Sequence, residues 1–114
     1  MTLTECYEKV GGNYEEVLGR LMNDMLIKKF LLKFLNDESY KNIFDNLESQ
    51  NTKEAFRAAH TLKGICQNLG LGILYKSSHD VTEALRDGKN EVTDEMLSKL
   101  KEDYEMTVNV IESL

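Results

Sequence analysis

The sequence predicts an all-α fold: an antiparallel four-helix bundle core with additional short helical segments at its N-terminus. Three observations support this. The 114 residues contain no proline, so the strongest interior helix breaker is absent. Apolar residues recur at spacings of three and four, and no alternation of period two is long enough to require a strand. Glycines fall between the periodic segments, at Gly11-Gly12, at Gly70 and Gly72, and at Gly88 before Lys89-Asn90, where they read as joints.

The residues before Gly11-Gly12 supply the extra N-terminal helical material. Leu21 to Asn36 carries Met22, Met25, Leu26, Phe30, Leu32 and Phe34 at mixed helical spacing. Such wide apolar coverage predicts a segment that crosses the end of the bundle or packs on more than one side. Tyr40, Ile43, Phe44 and Leu47 mark the next helix, with Ser39 as a candidate cap. Thr52 is the expected N-cap of the following one, with Lys53-Glu54 in its first turn. Along that helix Ala55, Ala59, Leu62, Cys66 and Leu69 form one apolar stripe, and Leu71, Leu74, Ser78, Val81 and Leu85 repeat the pattern in the next. The last helix uses Met96 or Leu97, then Leu100, Tyr104, Val108 and Ile111. With no internal repeat, low-complexity tract or flexible linker, residues 1–114 are expected to form a single domain.

Composition narrows the function. Apolar residues are 41%, charged residues 30% and aromatics 8%, a balance that suits a folded chain rather than a disordered one. Fourteen basic against twenty acidic residues give a net charge of -6, with the bases spread along the chain, which disfavours nucleic acid and anionic membranes as partners. The longest apolar stretch, Met25 to Leu35, contains Lys28, Lys29 and Lys33 and predicts no bilayer span. Met1 to Val10 has neither the basic start nor the apolar centre of a secretory signal, so a cytoplasmic location is expected. Cys6 and Cys66 form no CxxC pair and read as two free thiols in a reducing compartment. With two histidines in all, no metal site of ordinary ligand composition is expected.

His60 is the residue that chemistry singles out. At about 100° per residue it falls roughly 140° from Ala55, away from the apolar stripe. Gly64 and Gln67 follow on its side, and Arg57 and Lys63 flank it three residues each way. A glycine inside a regular helix costs about 1 kcal/mol relative to alanine. It is retained either for tight helix packing or for clearance beside the imidazole, and its distance from the stripe favours clearance. An exposed imidazole is nucleophilic through one nitrogen, and nearby cations stabilise charge developing on phosphoryl oxygens. The chain has no glycine-rich nucleotide loop, no Walker A sequence and no acidic pair poised for magnesium, so another protein must supply the phosphoryl donor.

The run Ala59-His60-Thr61-Leu62-Lys63-Gly64, continuing through Asn68-Leu69-Gly70, resembles the histidine-containing phosphotransfer (HPt) domain family through its H-x-L-K-G signature. The resemblance is most specific from Phe56 to Gly70. It implies a four-helix bundle and phosphoryl transfer between His60, through Nε2, and an aspartate of a response-regulator receiver domain. Lys63 matches the family's lysine near the phosphate, and Gly64 the glycine that admits the receiver surface. The position at which family members often place a glutamine is Thr82, whose hydroxyl has shorter reach. The resemblance further implies no cofactor of the chain's own, magnesium held by the receiver, and a hybrid sensor histidine kinase as a further partner. Both a stand-alone relay protein and one module of a larger kinase fit it.

Other residues carry less. Arg57 is a weaker candidate than Lys63 for countering phosphate charge, and Gln67 is an auxiliary polar group on the same face. Phe56 is either part of an apolar docking patch or a bundle-edge packing residue. His79, in Ser77-Ser78-His79-Asp80, lacks the lysine-glycine arrangement and reads as a solvent-facing structural histidine. Cys66 reads as a buried thiol, and Cys6 has no specific role. Tyr75, Tyr104 and the methionines fit packing. The functional alternative is a phosphorylation-independent adaptor that binds receivers or kinases.

Overall fold

The computed structural model describes residues 1–114 and contains seven α-helices and no strand. They are α1 (Leu3–Val10), α2 (Tyr14–Leu21), α3 (Asp24–Phe34), α4 (Ser39–Glu48), α5 (Thr52–Leu69), α6 (Gly72–Ala84) and α7 (Asp94–Glu112), with a 3-10 turn at Arg86–Gly88 between the last two. The all-helical expectation holds. No helix is long and apolar enough to cross a membrane.

Local chemistry explains where the helices begin. Thr2 and Glu5 form a reciprocal capping box on α1, and the two hydrogen bonds from Thr2 hold the Glu5 carboxyl below its ordinary range. The segment expected to run from Leu21 to Asn36 is broken at its start. Met22 adopts a φ of 77°, and the Asn23 side chain accepts a hydrogen bond from the Leu26 N–H at 2.9 Å, restarting the chain as α3. An asparagine that satisfies an orphan N–H of the next turn competes with continuing the previous helix. Two cap assignments shift by one residue, only that of α5 through an asparagine side chain. Asn51, not Thr52, caps α5, and Ser39 is the first residue of α4, its N–H donating to Asp37 Oδ2 at 2.9 Å.

α4 to α7 are joined by short links and pack in sequence, α5 lying between α4 and α6, and α6 against α7. The Tyr40 and Tyr104 rings stack at 3.8 Å and close α4 onto α7. α3 leans on α5 and α7, while α1 rests on α6 and α7. One apolar cluster unites all of these, running from Leu3 on α1 to Ile111 on α7. The predicted stripes of α5 and α6 are buried throughout. On α7 the inward line departs from the expected one: Asp103 and Thr107 are buried where Tyr104 and Val108 are only partly so. Both polar side chains are held within the helix, Asp103 by Lys99 Nζ at 2.8 Å and Thr107 by donating to the Asp103 carbonyl at 2.7 Å.

The C-terminal end of α5 is anchored most heavily. Gly70, at a φ of 71°, ends the helix with Leu71 N–H reaching back to the Cys66 carbonyl at 2.9 Å. The Arg20 guanidinium donates to the Gln67 and Asn68 carbonyls at 3.2 and 3.0 Å, and the Tyr7 hydroxyl to the Leu69 carbonyl at 2.8 Å. Three of the last carbonyls of α5 thus accept hydrogen bonds from side chains of α1 and α2. Because Tyr7 is almost fully buried, Tyr7→Phe leaves that carbonyl unpaired away from water. The expected loss is about 1–2 kcal/mol, measured by urea unfolding. The turn after α1 then meets the turn after α5 backbone to backbone. A Cβ on Gly12 would lie 2.0 Å from the Gly70 carbonyl oxygen, and one on Gly72 2.1 Å from that of Gly11.

Candidate functional site

α5 exposes one face to solvent along its middle, and His60 stands on it. The apolar stripe from Ala55 to Leu69 is buried against the other helices, so the helical period turns His60, Thr61, Gly64 and Gln67 outward. A Cβ built on Gly64 meets no atom within 4 Å. The glycine is therefore not there for helix packing, and the surface one turn beyond the imidazole is left low. Gly64→Ala should stabilise the chain by about 1 kcal/mol, because alanine lowers the entropy cost of the helix and nothing obstructs its methyl group. A rise of several degrees in Tm would show it.

The His60 imidazole lies beside the Phe56 ring, with centroids 5.8 Å apart and planes tilted by 35°. Together with Arg57, Thr61 and Arg86 they line an open depression. Arg86 comes from the 3-10 turn beyond α6, and its guanidinium carbon lies 5.2 Å from the centre of the Phe56 ring. Two cationic side chains, Arg57 and Arg86, thus line the depression with the imidazole; of these only Arg57 was expected, and Lys63, three residues along the helix from His60, is not among its lining residues. Arg57 is paired with Glu54 at 3.1 Å and Arg86 with Glu83 at 2.6 Å. Lys63 makes no ion pair of its own, though its charge helps to hold Glu83 ionised. The Glu83 carboxyl sits below the ordinary range chiefly through its hydrogen bond from Arg86, and beyond that through the charges of Arg86, His79 and Lys63.

The other candidates divide. Phe56 is partly buried and touches the imidazole directly, so it is both bundle edge and site wall. Gln67 is exposed but belongs to a second depression, shared with Glu16, Arg20, Gly64 and Asn68. Gly64 separates it from His60, and the structure does not bring its amide to the imidazole. Thr82 needs correction. It is fully buried, and its hydroxyl donates to the Ser78 carbonyl at 2.7 Å, because the inward face of α6 runs through Ser78, Val81, Thr82 and Leu85. It does not line the depression at His60.

His79 is partly buried rather than solvent-facing, with its ring against Tyr75 and its Nδ1 enclosed without a partner. It lines a separate surface depression with Asp80, Glu83, Ala84, Glu91 and Met96. Cys6 and Cys66 are free and fully buried, and burial pushes both thiols above their ordinary range, which leaves them unreactive. No cluster of three or more histidine, cysteine or acidic side chains is arranged to hold a metal ion.

A family model described as Hpt domain matches residues 31–109. The matched stretch takes in the end of α3, all of α4 to α6 and most of α7, and it contains every residue of the His60 depression. No curated protein and no solved structure matches the chain.

Proposed function

The chain belongs to the Hpt domain family, and from that premise we propose that it carries phosphoryl groups on His60 between receiver-domain aspartates of a multistep phosphorelay. The observation that carries this reading is the open ground beside His60: an exposed imidazole, cations around it, and a glycine one turn away with no atom near its missing side chain. An aspartyl phosphate sits on another protein. The imidazole must enter that protein's site, and any bulk at position 64 would hold the two surfaces apart. A long side chain there, as in Gly64→Gln, would keep most of the gain in stability while slowing transfer.

The reaction requires no base. The lone pair of the neutral imidazole nitrogen, Nε2 by family resemblance, forms the N–P bond in line with the breaking P–O bond, whose electrons leave with the aspartate carboxylate. The ring then bears a positive charge and keeps its proton on the other nitrogen. The reverse step returns the group to a second receiver. Lys63, with no ion pair of its own, would balance charge on the phosphoryl oxygens, and Arg57 and Arg86 more weakly because Glu54 and Glu83 already hold them. Magnesium is expected in the receiver. A hybrid sensor histidine kinase is the natural source of the first phosphorylated receiver.

The test is transfer from a panel of labelled, phosphorylated receiver domains. Label on the chain that is acid-labile and base-stable supports the relay. Receivers that dock measurably yet never label it would replace this reading with a phosphorylation-independent adaptor.

A further inference from the structure

Glu83 lies outside the His60 depression but holds Arg86, which lines it, and no step of the transfer uses this carboxylate. It lies on the last turn of α6, and its Oε2 accepts from Arg86 Nε at 2.6 Å. The same guanidinium covers the Phe56 ring that packs on His60, so one arginine faces both a carboxylate and the place a phosphoryl group would occupy. Both members of the pair keep 44% of their side-chain surface in solvent, which leaves Arg86 room to turn from one anion to the other without disturbing the core. Arg57 has a carboxylate of its own in Glu54, and Lys63 feels the field of Glu83.

We propose that Glu83 competes with the phosphoryl group on His60 for the Arg86 guanidinium, and so keeps that group transferable. The inference rests on His60 being the phosphoryl carrier. A carrier must release what it accepts, and a dianion held by every cation around it would be retained. Before phosphorylation Glu83 neutralises Arg86. Afterwards the arginine divides between two anions, and the phosphohistidine gains only part of the stabilisation that an uncommitted arginine would give. Exposed ion pairs are weak, so the expected effect is a modest shift in an equilibrium, not an on–off switch.

The measurement is the equilibrium partition of label between this chain and one receiver domain that labels it, for wild type, Glu83→Gln, Arg86→Gln and the double variant. At protein concentrations below the docking affinity that partition depends only on the separate proteins, so changes in docking do not enter it. Glu83→Gln should move it about three- to fivefold toward His60, and in the Arg86→Gln background the same substitution should move it little. The Arg86 Nε–H resonance should shift on loading wild type with phosphoramidate, which a purely structural role for the pair would not produce. An unchanged partition in Glu83→Gln, an equal shift in the Arg86→Gln background, or an Arg86 resonance unmoved by loading would overturn the inference while leaving the carrier function in place. If neither phosphoramidate nor any receiver puts phosphate on His60, the carrier function falls and the role of Glu83 falls with it.

Discussion

His60→Gln is expected to take up no phosphoryl group from any receiver, a fall of roughly a thousandfold or more, to background. Glutamine keeps a polar side chain of similar reach but has no lone pair able to form a phosphoramidate bond under these conditions. The residue is exposed and makes no hydrogen bond in the structure, so its loss should change stability by no more than about 0.5 kcal/mol. Docking should persist as well, because Phe56, Gly64 and the cations remain. The variant therefore separates chemistry from recognition: the relay predicts a protein that still binds a receiver, melts with wild type and stays unlabelled. If labelled phosphate appeared on the variant with unchanged acid and base stability, the acceptor would be another residue, and the partly buried His79 would be the first to replace.

The second large effect concerns stability. Gly12→Ala and Gly72→Ala each place a methyl group about 2 Å from a backbone carbonyl oxygen, closer than any real contact. Those oxygens belong to Gly70 and Gly11, and neither can rotate away as a side chain could. The turn after α1 and the turn after α5 must move apart, loosening the Tyr7 and Arg20 hydrogen bonds to the end of α5. A loss of about 3 kcal/mol is expected for each, or a fall in Tm of roughly 10–20 °C by calorimetry. Gly64→Ala is the internal control, since the same chemical change at an open position should raise Tm instead. If Gly12→Ala and Gly72→Ala left Tm unchanged or raised it, the backbone contact between the turns would be refuted, whereas a fall for Gly64→Ala would refute only the open space at that position.

What could be read in advance, and what could not, follows from how far an argument must reach along the chain. The stripe on α5 and the outward placement of His60 and Gly64 need only the helical period, which is local and regular. The break before α3 was missed because apolar residues continue across it. Asn23-Asp24 carried the start signal, outweighed there by the run of methionine and leucine. The inward turn of Asp103 and Thr107 was hidden because polar residues are sorted outward by default, and their partners, Lys99 and a carbonyl of the same helix, are visible only once α7 is built. Arg86 was missed because it reaches the site from another element. Reflecting α5 onto α6 about Gly70-Leu71 would have brought Phe56 level with Leu85 and Arg86. The same reflection brings Val81, with Thr82 next to it, level with His60, but height along a hairpin does not settle the face, and Thr82 shares its face with Val81 and Leu85 in the core.

The grip of α1 and α2 on the end of α5 bears on where this module can be cut. The segment that defines its family begins at residue 31, but Leu3, Cys6, Tyr7, Val10, Val17 and Ile27 lie before it and are buried in the shared core. A chain trimmed to the matched stretch would lose the three carbonyl partners on α5 and expose the apolar surface those residues cover. Transplanting the His60 face into another protein therefore means carrying the leading helices with it, although none of them contributes a side chain to the His60 depression.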